Sequence, residues 1–141
     1  MIRWIATTGA APADALCIRR EVFLEEQKFT RDADAFDEAA VHIVGYDGDE
    51  PFGTARVYRE QGDDWHAGRI ALRRPWRGRG LGALLLQETE RQARAAGAKR
   101  MTIDAQLQAA GFYERCGYRR FGTEHYDEHC LHIGMCKDLD V

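Results

Sequence analysis

The chain has 141 residues, 45% hydrophobic and 30% charged, with a formal net charge of −3. That is one domain, large enough to bury a core without metal or disulfide staples. The acidic balance argues against nucleic acid as a partner, since such proteins carry a basic surplus, and no apolar run approaches the roughly 18–20 residues that span a bilayer, so no membrane partner is expected.

Ile2, Trp4 and Ala6 alternate with Arg3 and Ile5 in a first strand, which Thr8-Gly9 ends. Folded-looking sequence follows Met1 directly, so no signal peptide is read and a cytoplasmic location is expected. Pro12 suits the first turn of a helix whose face, Ala15, Ile18 and Val22, runs to about Gln27. Residues 28–40 read as irregular and acidic, with Asp32, Asp34, Asp37 and Glu38. Val41, Ile43 and Gly45 alternate with His42, Val44 and Tyr46 in a second strand, and Asp47 to Pro51 is a turn. Phe52 to Arg59 is a third strand, Gln61 to Asp64 turns, and Trp65 to Leu72 returns. Three strands joined by short turns predict an antiparallel meander.

A helix from about Gly80 to Ala96 follows, with an apolar face at Leu81, Leu84 and Leu85, and Gly97 stops it. Arg100 to Asp104 is a short strand, parallel to the one before the helix if the three form a βαβ unit. Gln106 to Cys116 has helical character, and Tyr118–Gly122 and Leu131–Met135 are closing strands. The order β-α-β-β-β-α-β-α-β-β predicts an α/β domain with a mixed sheet, one unit over residues 1–141.

Between strand and helix lies Arg77-Gly78-Arg79-Gly80-Leu81-Gly82. Its glycines leave backbone N–H groups uncovered where a helix begins, with the positive end of the helix dipole behind them. Arg73, Arg74, Arg77 and Arg79 crowd the same turn. The physical reading is a pocket for a phosphate or pyrophosphate. Gly78, Gly80 and Ala83 also satisfy the dinucleotide fingerprint, with Asp104 about where a ribose-binding acid would lie. Against that, a meander precedes the loop and too little chain follows Asp104 for a second nucleotide-binding half. A nucleotide-dependent oxidoreductase stays as an alternative. Cys17, Cys116, Cys130 and Cys136 form no C-x-x-C pair and read as free thiols. His125, His129, Cys130 and His132 gather four potential ligands at a spacing that matches no common metal pattern, so no metal is expected.

At these residues the chain resembles the GNAT N-acetyltransferases. Residues 77–82 match that family's R/Q-x-x-G-x-G/A acetyl-coenzyme A signature, and Ala110 to Tyr118 is similar to its later F-Y-x-x-x-G-F motif, with tyrosine last. Arg20–Gln27, Asp37–His42 and Tyr126–Met135 are similar to a branch of small bacterial members; His129 and Cys130 replace a Gly-Ile pair of its closing segment. The resemblance implies a GNAT-like, mostly antiparallel twisted sheet flanked by helices. It also implies direct transfer of an acetyl group from acetyl-CoA, a cosubstrate, to a primary amine of a small molecule of amino sugar, amino acid or polyamine type. On the same ground Arg77, Gly78, Arg79, Gly80, Leu81 and Gly82 hold the diphosphate. The edge of Ile70, Ala71 and Leu72 pairs with the pantetheine arm, an N–H near Leu72 faces the thioester oxygen, and Gln106 and Phe112 join the cofactor set. Tyr113 takes the family's general-acid position, and a phenol with a pKa of about 10 stays protonated at neutral pH. The acidic residues before position 40 would draw in a cationic acceptor, which gives Asp37, Glu38 and His42 as substrate-binding candidates. Glu128 or His132 is the candidate base. A non-catalytic acyl-CoA-binding or regulatory module on the same fold is the competing reading, and a homodimer fits enzymes of this size.

Overall fold

Ile43 and Val44 are chain neighbours and both buried, yet they pack into different clusters. Successive side chains of a strand point to opposite faces of its sheet. Both faces here are therefore covered, which is why the central strands are apolar on both sides. The computed structural model describes residues 1–139. Its strands are β1 (Ile2–Thr8), β2 (Val41–Asp47), β3 (Glu50–Gln61), β4 (Asp64–Leu72), β5 (Arg100–Gln106), β6 (Arg119–Asp127) and β7 (Cys130–Asp138). They form one sheet in the order β1-β2-β3-β4-β5-β7-β6, antiparallel throughout except for β4 beside β5. This is the expected mixed sheet, with the expected meander and the expected parallel step. No helix among the described residues is long and apolar enough to cross a membrane.

Helix α1 (Ala13–Arg19) lays Ala15 and Ile18 on Val44 and Ala71 on one face. Helices α2 (Leu81–Ala95) and α3 (Ala110–Arg115) cover the other, where Leu85, Leu86 and Tyr113 join Ile43, Val57, Met101 and Met135. Leu85 and Leu86 are almost fully enclosed, and each such side chain stabilises the fold by about 2 kcal/mol.

Several elements differ from the sequence reading: Gln106 ends β5, a 3₁₀ turn at Leu107–Ala109 precedes the short α3, and β7 runs on to Asp138. The first helix does not stay α-helical to Gln27; from Arg20 to Glu26 it widens into a π-helix, with Gln27 N–H donating to Val22 O at 3.1 Å. Val22 stays in the core while Phe23 and Gln27 reach a cavity. Strand β6 runs on past Gly122 to Asp127, with a register slip between Phe121 and His125. It is an edge strand exposed along its whole length, so no apolar alternation marked it.

Gly45 sits where β2 passes beneath two aromatic rings, and a Cβ there would lie 2.6 Å from both Phe52 and Trp4 ring atoms. Gly45→Ala is therefore expected to destabilise the fold by about 1–3 kcal/mol through overpacking. A lower urea midpoint at unchanged m-value is the measurement that checks it.

Candidate active site

The site originates in a pairing that stops early. β4 and β5 are in register from Asp64 opposite Arg100 to Ala67 opposite Ile103, and no further. On its other side β4 slips against β3: Thr54 faces Ala71 while Arg56 faces Gly68, which leaves one extra residue in β4. Arg69, within the slip, has a φ of +50°. Such a bulge raises the local twist and bends the strand, and the left-handed conformation of a non-glycine residue costs about 1–2 kcal/mol. β5 meanwhile continues along β7 until Gln106 faces His132. The two strands part, and between them opens a cavity of about 490 Å³. Gly68, Arg69 and Ile70 form one wall, and Asp104, Ala105 and Gln106 the other. Arg73 N–H donates to Phe52 O on β3 at 2.8 Å, whereas Leu72 O accepts from Arg77 Nε at 2.9 Å. By strand alternation Leu72 turns its N–H as well as its C=O away from β3 and toward the gap.

The glycine-rich turn lies beyond the end of β4. Gly78 and Gly80 both have φ of +77°, and a Cβ on either would meet nothing within 4 Å, so the turn is open above. Gly80 precedes α2, and no side chain caps that helix; its first N–H groups lack a side-chain acceptor. Gly82 lies against the Phe112 ring, where an added Cβ would make ordinary contact at 3.4 Å. The arginines do not converge as the sequence suggests. Arg77 turns inward, with Nη2 2.8 Å from Glu26 as well as Nε on Leu72 O. Arg73 pairs with Glu21 and Glu50 and lies over Trp76, and Arg74 is 3.8 Å from Glu26. Among the described residues Arg79 has neither ion pair nor hydrogen bond.

Tyr113, His132 and Glu128 are brought to the same cavity. Tyr113 is 8% exposed, sits edge-on to Phe112 and Tyr118, and its hydroxyl has no hydrogen-bond partner among the described residues. Burial pushes that hydroxyl well above its ordinary pKa, so it stays protonated. His132 is 6% exposed, and its Nδ1 lies 2.9 Å from Cys130 O. A carbonyl only accepts, so Nδ1 carries a proton, and in the neutral imidazole Nε2 is the nitrogen with the lone pair. Glu128 holds a φ of +54° in the β6–β7 turn and accepts from Thr30 N–H at 2.8 Å, a bond that lowers its pKa. His125 turns to Asp104, 2.9 Å away, and His129 lies against the Phe29 ring. Among the described residues no three His, Cys, Asp or Glu side chains are grouped to hold a metal ion.

The acceptor side departs from the sequence expectation. Asp37 is buried between Arg19, at 2.9 and 3.0 Å, and Arg56, at 2.9 Å. Burial alone would raise its carboxyl, but the two guanidiniums outweigh that and hold it well below the usual carboxylate range. His42 is enclosed, with Nε2 2.8 Å from Asp37 O. Glu38 points to solvent, and none of the three lines the cavity. As substrate contacts they are corrected: Asp37 and His42 are internal structural groups. Asp34 takes a two-pronged bond from Arg56, at 2.6 and 2.7 Å, which holds it below its ordinary pKa. Asp32 accepts from Arg19 Nε at 2.9 Å, and Arg69 reaches Asp32 O at 2.7 Å and Asp34 at 3.2 Å. Three arginines and three aspartates alternate, so the charges of Asp32, Asp34 and Asp37 are paired within the protein. Asp32, Asp34 and Arg69 do line the cavity, as do Arg31, Asp104 and Asp127. Their sequence pattern carried no sign of it, because a bulge leaves no periodicity to read.

The family model described as the acetyltransferase (GNAT) domain matches residues 13–139. YyaT of Bacillus subtilis, an uncharacterized protein, is 35% identical over 139 residues, covering 94% of this chain and 93% of its own. YjcF of the same organism, named an N-acetyltransferase and likewise uncharacterized, is 33% identical over 128 residues, covering 89% and 91%. A Bacillus subtilis acetyltransferase solved in complex with CoA matches with a TM-score of 0.76 over 98% of this chain and 99% of that one; at 14% identity this is a likeness of fold.

The aspartate–arginine chain sets an acid limit. The Asp34 and Asp37 carboxyls are depressed in the folded protein, so the stability they contribute is complete above their ordinary value of 3.8 and drains away as pH falls below it. Melting temperature is expected to drop steeply below about pH 4. In Asp34→Asn that slope is expected to be shallower, from a lower starting value at neutral pH.

Proposed function

We propose that this chain, which belongs to the GNAT acetyltransferase family, moves an acetyl group from acetyl-CoA directly to a primary amine of a small molecule. It is an acyltransferase. One juxtaposition carries the finer reading: β4, which lines through Ile70 the cavity holding a buried phenol without a partner, runs on past Leu72, turned away from β3, to a helix start with uncapped amides. The residues present fit the cosubstrate. The amides of residues 78–82 and the Arg79 guanidinium suit a diphosphate, and Ile70, Ala71 and Leu72 offer an edge to an amide-bearing arm flanked by Gln106 and Phe112. Arg77 already occupies Leu72 O, so an arm that pairs there displaces it.

The cosubstrate supplies an acyl group on a thioester. Leu72 N–H donates to the acyl oxygen as that oxygen gains charge, a contribution of about 3 kcal/mol. His132 Nε2 takes the proton of the attacking amine; Glu128, committed to Thr30 N–H, is the second candidate. Tyr113 gives its proton to the departing sulfur. The acceptor is of amino sugar, amino acid or polyamine type. The four free thiols support a reducing compartment, the cytoplasm.

Glucosamine, lysine and spermidine, each with acetyl-CoA, form the test, with free thiol as the readout. Release that requires one of these amines is the expected result; saturable acetyl-CoA binding with no amine-dependent release from any of the three would sink the acceptor reading. Tyr113→Phe is expected to lower kcat about 100-fold with acetyl-CoA affinity kept, and an unchanged kcat would remove Tyr113 from the mechanism.

A further inference from the structure

Arg69 occupies the one point where the bulge, the cavity and the aspartate–arginine chain coincide. It is the residue with a φ of +50° inside the slipped register, two residues beyond the last β4–β5 pair. A glycine would adopt that conformation without strain, yet the position carries the longest charged side chain. What that side chain does is specific. Nε donates to Asp32 O at 2.7 Å, Nη2 to Asp34 Oδ2 at 3.2 Å, and Nε lies 3.4 Å from Asp32 Oδ1. Residues 31–34 line the cavity, so the bonds from Arg69 tie that wall to the strand whose end presents Leu72 N–H. Asp34 also fixes the next turn, accepting from Phe36 N–H at 3.0 Å.

The three arginines of the chain are not equivalent. Arg19 and Arg56 side chains are 1% and 4% exposed and lie inside the protein, whereas Arg69 is 29% exposed. Arg69 alone of the three lines the cavity. Removing either buried partner strands a charge in the interior; removing Arg69 takes away the wall's bonds to β4 and leaves the interior pairs, Arg19 with Asp32 and Asp37 and Arg56 with Asp34 and Asp37, in place.

We propose that Arg69 is a positioning residue of the transfer site, clamping segment 31–34 to the β4 bulge so that the acceptor wall and the Leu72 N–H hold a fixed spacing. This rests on the acetyl-transfer reading for its kinetic consequence but not for the clamp itself. The test compares Arg69→Gly, which suits the backbone and removes the clamp, with Arg69→Lys, whose single ammonium cannot reach both partners as the guanidinium does. In Arg69→Gly, acetyl-CoA affinity is expected to stay, while KM for whichever of glucosamine, lysine or spermidine the parent uses rises about tenfold or more. Arg69→Lys falls between. Hydrogen exchange over residues 30–38 is expected to quicken about tenfold in the glycine variant, with residues 77–86 unchanged. Unchanged exchange over residues 30–38, or an equal loss of acetyl-CoA affinity, overturns the proposal. Should the parent use none of the three amines, the transfer reading is what fails, and the exchange comparison still decides the clamp.

Discussion

A parallel pair that ends after Ala67 and Ile103 is the constraint on which this molecule turns. Inside a sheet every N–H and C=O has a ladder partner, and leaving such groups unpaired in the interior is costly. Here the bulge at Arg69 lifts β4 off β5 in mid-sheet, where helices cover both faces. The groups that lose their ladder do not vanish into an apolar core; Leu72 C=O takes Arg77 Nε, and the rest of the wall borders a cavity of about 490 Å³. The fold thus tolerates an interior strand edge only because something polar meets it.

The second constraint is electrostatic. Arg19 and Arg56 are both buried, and Arg56 Nε has no hydrogen-bond partner among the described residues. Ion pairs of this kind contribute little net stability over an apolar replacement, but breaking one by removing a partner costs about 3–5 kcal/mol. Alternation of the six charges fixes geometry instead: a segment with a single short 3₁₀ turn, Ala35–Ala39, is held in place by α1, β3 and β4 at once. That is how a loop-like stretch acquires the rigidity to be a cavity wall.

Legibility in the sequence followed the physics of each part. The central strands and α2 could be read because both sheet faces are buried and leave apolar pattern. β6 beyond Gly122 could not, since nothing on it is buried. The glycine turn was legible because only glycine adopts φ of +77° without strain, as Gly78 and Gly80 do, and Tyr113 because it lies in a motif with fixed spacing. The acidic stretch misled: four carboxylates look like a cation trap until the partners of Asp32, Asp34 and Asp37 are known, and those arginines come from α1, β3 and β4. Charge pairing across such sequence distances has no local signature. The bulge at Arg69 has none either, and it is the feature that opens the site.

The two halves of the site consequently rest on different chemistry. For the proposed cosubstrate the groups on offer are backbone amides, at residues 78–82 and at Leu72. For the proposed acceptor they are cavity side chains, Tyr113, His132 and the wall 31–34, and the last two are positioned by groups outside the cavity: Cys130 O for His132, Arg19 and Arg56 for the wall. A substitution on that side changes what is held as well as how tightly. Backbone recognition would fix one partner while side-chain recognition would leave the other free to vary, and β4 connects the two, bordering the cavity at Gly68–Ile70 and ending before the glycine turn.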